Sequence, residues 1–211
     1  MTPVHPPDPT DVSGPAPAAA GLLLAAGAGS RMGMPKALVH DERGSWLRRG
    51  VEVLRQGGCD PVVVVLGAAP EAADLLDGSV RVVVAQDWAD GMGASLRAGL
   101  AALDGPGEDT ESVVVSLVDL PDLVPAVVSR VVSRAGGAGA AAGTLARAAY
   151  DGVPGHPVLL GRDHWAGVAA AATGDRGARD YLATADVVLV ECGDLASGRD
   201  VDSRHQANPE Q

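Results

Sequence analysis

Short, uninterrupted apolar runs alternate along the chain with longer segments of helical periodicity. The first four runs are AAAGLLLAA, DPVVVVLG, VRVVVAQ and SVVVSLVDLP, and none of them alternates polar with apolar positions. Such runs are typical of strands that are buried on both faces of a parallel sheet. The intervening segments predict helices. In SWLRRGVEVLRQGG, Ser45 is the expected N-cap and Gly57-Gly58 the expected end.

The alternation of strands and helices predicts one α/β domain of three layers, in which helices cover both faces of a mostly parallel sheet. TLARAAY, HPVLL and DVVLVE predict later strands, and GRDHWAGVAAAA and DRGARDYLATA predict helices between the last two of them. The domain is expected to span residues 18–211. The proline-rich residues 1–17 are expected to form a disordered tail. Ligands of such sheets bind beyond the carboxyl ends of the strands.

Charge and composition exclude several classes of function. The net charge of -11 argues against general nucleic-acid binding, which needs a basic surface. No apolar run approaches the roughly 20 residues of a membrane span. Cys59 and Cys192 are too few for a disulfide framework or a zinc site, and we expect both to be buried, reduced thiols. Because the N-terminus lacks the basic start of a signal peptide, a cytoplasmic location is expected.

A glycine-rich loop, GAGSRMGMPK, follows the first strand. Gly27, Gly29 and Gly33 allow positive φ angles and a close approach of the backbone to an anion. Arg31 and Lys36 add positive charges suited to phosphate. The third glycine comes one residue too late for the dinucleotide fingerprint, and no Gly-Lys-Ser/Thr of a Walker loop is present. The loop therefore predicts a triphosphate site, the alternative being a glycine-rich turn without a ligand.

Asp119 ends the fourth apolar run, shortly before Pro121. A carboxylate at the tip of a buried strand is costly unless something pairs with it. Mg²⁺ favours one or two carboxylates together with substrate phosphates. Asp119 is therefore the first predicted metal ligand, and a plain turn before the proline is the alternative. The strand ends of a parallel sheet share an edge, so we expect Asp119 on the same rim as the glycine-rich loop.

The segment LAAGAGSRMGMPKAL resembles the signature of the NTP-transferase domain of molybdenum-cofactor nucleotidyltransferases, and most closely that of the cytidylyltransferase branch. The likeness continues through WADGMGASLRAGL, VDLP, GHPVLL, GDRGAR and DVD, from Gly21 to Asp202. It implies a Rossmann-like fold of the nucleotide-diphospho-sugar transferase type. It also implies Mg²⁺, a nucleoside triphosphate with CTP favoured, and a phosphorylated pterin that accepts the nucleotide while pyrophosphate leaves.

The same resemblance implies the roles of individual residues. Arg31, Lys36 and Asp119 would be catalytic, and Asp119 and Asp202 would bind the metal, with Asp200 as the alternative to Asp202. His156, Asp175 and Arg179 would face the acceptor, with Arg179 on its phosphate. The nucleotide would contact Leu24, Ala25, Ala26, Gly27, Gly29, Arg31, Lys36, Gln86, Gly91 and Ser95. Gln86 replaces the family's usual Asn, and Ser203, Arg204 and His205 depart from its usual terminal motif.

Two other functions compete with nucleotidyl transfer. Some actinobacterial relatives of this family are described as oxidoreductases of pigment-like substrates, although the dinucleotide spacing is missing here. A non-catalytic nucleotide-binding protein that delivers cofactor to a molybdoenzyme is the other alternative. The presence of Arg31, Lys36 and Asp119 together favours an active transferase.

Overall fold

The computed structural model of the chain describes residues 19–105, 107–135 and 141–201. The predicted tail over residues 1–17, most of GGAGAAAG and the predicted metal ligand Asp202 lie outside these residues. The strands are, in chain order, β1 (Ala20–Leu24), β2 (His40–Asp41), β3 (Gly44–Ser45), β4 (Val62–Leu66), β5 (Arg81–Val84), β6 (Ser112–Leu117), β7 (Leu145–Tyr150), β8 (Val153–Gly161) and β9 (Val188–Glu191).

Seven of these strands form one sheet, in the order β5-β4-β1-β6-β8-β7-β9. The pairs β5–β4, β4–β1, β1–β6 and β7–β9 are parallel. Among the described strands of this sheet, β8 alone runs in the opposite direction, antiparallel to β6 and β7. The prediction of a mostly parallel sheet is confirmed. The carboxyl ends of β5, β4, β1 and β6 consequently meet at one edge, which we call the carboxyl edge.

Helices cover both faces of the sheet, which confirms the predicted three layers. The α-helices are α1 (Trp46–Gln56), α2 (Met92–Leu103), α3 (Pro125–Val132), α4 (Trp165–Ala171) and α5 (Arg179–Leu182). Helices α1 and α3 pack on one face, and α2, α4 and α5 pack on the other. The segment Pro70–Leu75 forms a 3₁₀ helix. None of the described helices combines the length and the apolar character needed to cross a bilayer.

The predicted ends of α1 are confirmed. The Ser45 hydroxyl accepts a hydrogen bond from the Arg48 backbone N–H at 3.3 Å, and Gly57 is the C-cap. A Cβ at Gly57 would lie 2.4 Å from the side chain of Val128, so the glycine lets α1 and α3 approach closely. Cys59 and Cys192 are buried and unbridged, as expected, and burial raises the pKa of the Cys59 thiol to about 12.

The β2–β3 hairpin, which the apolar pattern does not predict, connects the glycine-rich loop to α1. Its organising residue is Asp41, whose carboxylate accepts hydrogen bonds from the Trp46 indole at 2.8 Å and from the Arg43 backbone N–H at 2.8 Å. The Arg49 guanidinium donates two more, at 2.9 and 2.8 Å. The hydrogen bond from Arg49 is the main reason that the pKa of Asp41 is lowered to about 2. Asp41 thus holds the exit of the loop against the start of α1.

We expect Asp41→Asn to lower the free energy of unfolding at pH 7 by about 1 kcal/mol, a value that allows for solvent screening of the pair. The pKa is depressed on folding, so the stabilisation is present above the ordinary carboxyl value of 3.8 and is lost as pH falls towards about 2. Urea unfolding of both proteins at pH 7, 4 and 3 measures this. Glu42→Gln, in the same hairpin, should match the wild type. A difference that is independent of pH would contradict the prediction.

Candidate active site

The glycine-rich loop folds back on itself at Gly29. The φ angles of Gly29 and Gly33 are +62° and +75°. The backbone N–H groups of Met32 and Gly33 both donate to the carbonyl oxygen of Gly29, at 2.8 and 2.9 Å. A Cβ at Gly29 would lie 2.0 Å from the Met34 carbonyl oxygen, so only glycine fits this position. Gly27 is different, because open space surrounds it, and a ligand can approach its backbone there.

The loop and the end of β6 meet through an ion pair. The Lys36 ammonium donates to Oδ2 of Asp119 at 2.6 Å, and the two side chains are only 16% and 14% exposed. This contact confirms that the two segments lie on the same rim of the sheet. Leu24, Ala25 and Ala26 are buried on the approach to the loop, whereas Arg31 is exposed on it.

The second carboxylate oxygen of Asp119 is buried and accepts no hydrogen bond from the described residues. Burial raises the pKa of Asp119 above its ordinary value, although the Lys36 ammonium acts in the opposite direction. The negative charge of Asp200 adds to the increase. A buried carboxylate oxygen that lacks a donor is costly. A bound cation would remove that cost, so Asp119 fits the role of metal ligand.

The C-terminal segment returns to Asp119. The backbone N–H of Val201 donates to the carbonyl oxygen of Asp119 at 3.0 Å, and the backbone N–H of Ser197 donates to Asp122 at 2.7 Å. Asp200, the alternative second ligand, is exposed near this turn. Over residues 19–105, 107–135 and 141–201, no group of three or more His, Cys, Asp or Glu side chains could hold a metal ion. A site with few carboxylates suits Mg²⁺, which keeps waters and substrate phosphates as ligands.

Three of the residues implied for the nucleotide, Gln86, Gly91 and Ser95, follow β5. Gln86 is exposed just beyond β5, two strands away from β1. Gly91, with a φ angle of +104°, is the N-cap of α2. A Cβ on Gly91 would lie 2.4 Å from the carbonyl carbon of Gly174, so the turn before Asp175 packs directly on this end of the helix. Ser95 is buried inside the helix, and of the two candidates for the N-cap, Ser95 or a glycine, the glycine occupies it.

The three residues implied for the acceptor line one cavity. His156, Asp175 and Arg179 surround a volume of about 300 Å³, together with Leu24, Leu120 and Asp200. The cavity therefore borders the residues next to the loop and next to Asp119. Burial, followed by the positive charge of Arg147, lowers the pKa of His156 to about 4, so its imidazole is neutral at pH 7. The Tyr150 hydroxyl holds this strand by donating to the His156 carbonyl oxygen at 2.6 Å.

Arg147, on β7, also lines this cavity and was not predicted as a site residue. The apolar residues of TLARAAY predict the strand, and its single charged side chain is this arginine. That isolated arginine in a buried strand was the available signal, because burying a cation is costly unless it has partners. Asp122, which anchors Ser197, was missed as well, and its position in VDLPD gave no distinct signal.

Comparisons with known proteins agree with this arrangement. Residues 21–189 match the family model described as the MobA-like NTP transferase domain. Nicotine blue oxidoreductase of Paenarthrobacter nicotinovorans is 35% identical over 204 residues, which cover 90% of this chain and 95% of that protein. Rv0371c from Mycobacterium tuberculosis H37Rv superposes with a TM-score of 0.73 at 28% identity, covering 92% of this chain and 97% of that chain.

Two further structures extend the comparison. The complex of Rv0371c with manganese matches with a TM-score of 0.68 at 27% identity, over 87% of this chain and 94% of that one. A nucleotidyl transferase from Methanothermobacter thermautotroptrophicus has the same fold, with a TM-score of 0.70 at 21% identity, over 90% and 94% of the two chains. With most of its length matched by the family model, the chain belongs to the MobA-like NTP transferase family.

Proposed function

We propose that the chain transfers CMP from CTP to a phosphorylated acceptor of the molybdopterin type and releases pyrophosphate. The observation that carries this proposal is the 2.6 Å contact between Lys36 and Asp119. This contact joins a loop suited to phosphates with a carboxylate whose other oxygen has no hydrogen-bond donor among the described residues. Family membership supports nucleotidyl transfer in general. The preference for CTP and a pterin acceptor rests on the likeness of LAAGAGSRMGMPKAL to the cytidylyltransferase branch.

In the proposed reaction, an oxygen of the acceptor's phosphate attacks the α-phosphorus of the nucleotide. The bond between the α-phosphorus and its bridging oxygen breaks, and pyrophosphate leaves. No general base is required, because the attacking phosphate is already ionised at neutral pH. The loop N–H groups and Arg31 orient the triphosphate, and Lys36 neutralises charge on the departing pyrophosphate. Positioning and electrostatic stabilisation provide most of the catalysis in reactions of this kind.

Asp119 would hold Mg²⁺, with Asp202 as the second protein ligand and Asp200 as the alternative. When bound, the ion would neutralise negative charge on the oxygens of the reacting phosphates. The donor set supports this role, because Oδ2 of Asp119 pairs with Lys36 while Oδ1 has no donor among the described residues. The anchoring of Val201 to Asp119 supports Asp202, the next residue along the chain. The manganese complex of Rv0371c supports a divalent metal.

We expect Lys36→Met to slow pyrophosphate release by about 100-fold or more, because a positive charge on the reacting phosphates is lost. The assay supplies CTP, Mg²⁺ and molybdopterin, and circular dichroism checks the fold of each variant. Arg81→Met is the control, since Arg81 is an exposed cation that pairs with Glu108 away from the loop. A near-normal rate in Lys36→Met would remove the lysine from the mechanism.

We expect Asp119→Asn to weaken the binding of Mn²⁺ in the presence of CTP by at least about tenfold, because a neutral amide replaces the charged ligand. Electron paramagnetic resonance of free Mn²⁺ measures the affinity, and Lys36→Met should retain more of it than Asp119→Asn does. Asp186→Asn, at an exposed carboxylate remote from the loop, should bind the metal as the wild type does. Unchanged affinity in Asp119→Asn would place the metal elsewhere.

An oxidoreductase is the second candidate, favoured by the 35% identity to nicotine blue oxidoreductase. Under this hypothesis the chain would act on a pigment-like substrate with a reduced nicotinamide cofactor. The loop spacing counts against it, because Met32 stands where the dinucleotide fingerprint has its third glycine. Parallel assays decide between the candidates: NADPH oxidation with nicotine blue, and pyrophosphate release with each of CTP, GTP, ATP and UTP. We expect pyrophosphate release and no NADPH oxidation. Nucleotide binding without either reaction would favour the delivery protein.

A further inference from the structure

The cavity beside the carboxyl edge is lined by a group of apolar side chains, which we call the apolar wall, and by a group of charged side chains. The apolar wall consists of buried or partly buried side chains of β1, α2, β6 and β8: Leu24, Leu96, Val115, Leu117, Val158 and Leu160. The charged residues of the lining are Arg147, Arg176 and Arg179, together with the two carboxylates Asp175 and Asp200.

Arg147 offers hydrogen-bond donors to this cavity. Its Nε and one terminal nitrogen donate to the carbonyl oxygen of Gly155, at 3.2 and 3.1 Å. No other described residue accepts a hydrogen bond from its guanidinium, which carries five N–H groups. None of its nitrogens is among the buried side-chain atoms that lack a partner in the described part of the chain, and the side chain lines the cavity.

Arg147 and Arg179 are like charges that line the same cavity. Burial, and then the charge of Arg179, lowers the pKa of Arg147 below its ordinary value. Arg176 differs from both, because it pairs with Asp180 at 3.0 Å. Because both guanidinium groups line one cavity, an anion bound there would offset their mutual repulsion. Planar guanidinium groups bind phosphate and carboxylate through pairs of parallel hydrogen bonds.

We propose that Arg147 and Arg179 together bind the anionic group of the acceptor, and that the apolar wall packs against its ring. The acceptor is thus assigned to the class of ring-bearing phosphates or carboxylates. This assignment rests on the proposed function in naming the ligand as the acceptor. The volume of about 300 Å³ is at the lower end of small-molecule sites, so it suits one ring system with its anionic group. Leu24 and Leu120 line the same cavity, so the acceptor bound there would lie next to the phosphate loop and Asp119.

A purely structural role for Arg147 makes a different prediction. In that case its bonds to Gly155 would only hold β7 against β8, where the register shifts between Arg147 and Ala149. Removing the guanidinium would then lower stability without changing the affinity for an anion. The variant Arg179→Met distinguishes the structural role from the binding role. The Arg179 side chain is exposed and makes no hydrogen bond with the described residues. Loss of anion binding in both variants requires the binding role.

Binding of small probes to the full-length protein tests the proposal without nucleotide. Phenyl phosphate, benzoate, inorganic phosphate and benzyl alcohol are titrated into ¹⁵N-labelled wild type, Arg147→Met, Arg179→Met and the control Arg81→Met, with amide shifts as the readout. We expect phenyl phosphate to bind more tightly than inorganic phosphate, and benzyl alcohol not to bind. Each cavity variant should weaken phenyl phosphate at least about tenfold, the loss of one charge-assisted pair, whereas Arg81→Met should not change it.

The ratio of phenyl phosphate to benzoate affinity in the wild type then identifies the anion as phosphate or carboxylate. Equal affinity of phenyl phosphate in the wild type and Arg179→Met, or binding of benzyl alcohol as tight as that of phenyl phosphate, would overturn the proposal. Thermal stabilisation of the wild type by CTP and Mg²⁺ is measured in parallel. If that stabilisation is absent while phenyl phosphate binds, the proposed function fails and the anion site stands.

Discussion

The parallel pairing of β1 with β4 and β6 is the constraint on which the site depends. Leu24, the last residue of β1, is level with Val65 of β4 and Leu117 of β6. Because the three strands point the same way and end at about the same height, the chain leaves β1 and β6 side by side. The loop after one strand therefore reaches the carboxylate after the other, although Lys36 and Asp119 are 83 residues apart.

Burial and charge oppose each other at this edge. Asp119 is removed from water by the apolar strand that carries it, and one ammonium group does not fully compensate, so its pKa remains raised. Stability alone would favour an apolar residue at such a position, because buried ion pairs often stabilise less than well-packed hydrophobic side chains. The cost falls on Oδ1 of Asp119, which has no hydrogen-bond donor among the described residues, beside a loop position, Gly29, that only glycine fits. Such a desolvation cost is tolerable where a ligand would relieve it.

Most of the fold was predictable because its strands are continuous apolar runs with clear helix signals between them. VVVVL and SVVVSL have no alternation, and Ser45 and Gly57 mark the ends of α1 as their chemistry requires. The β2–β3 hairpin was not predictable from the apolar pattern, since it depends on hydrogen bonds that Asp41 accepts from the Trp46 indole and the Arg49 guanidinium. The adjacency of Lys36 and Asp119 followed from the rule for parallel strands. The direction of β8 and the cavity beside it could not be predicted, because strand order depends on tertiary packing, about which local sequence patterns carry no information.

The ion pair at the centre of the site involves the only lysine among the 211 residues. Every other cationic side chain apart from histidine is an arginine, so a lysine-specific isotope label introduces one side-chain ammonium signal for the whole protein. That signal belongs to an atom that lies between the phosphate loop and the strand end. Its chemical shift and its exchange with water are therefore spectroscopic reporters of this edge, with no assignment problem and no mutation.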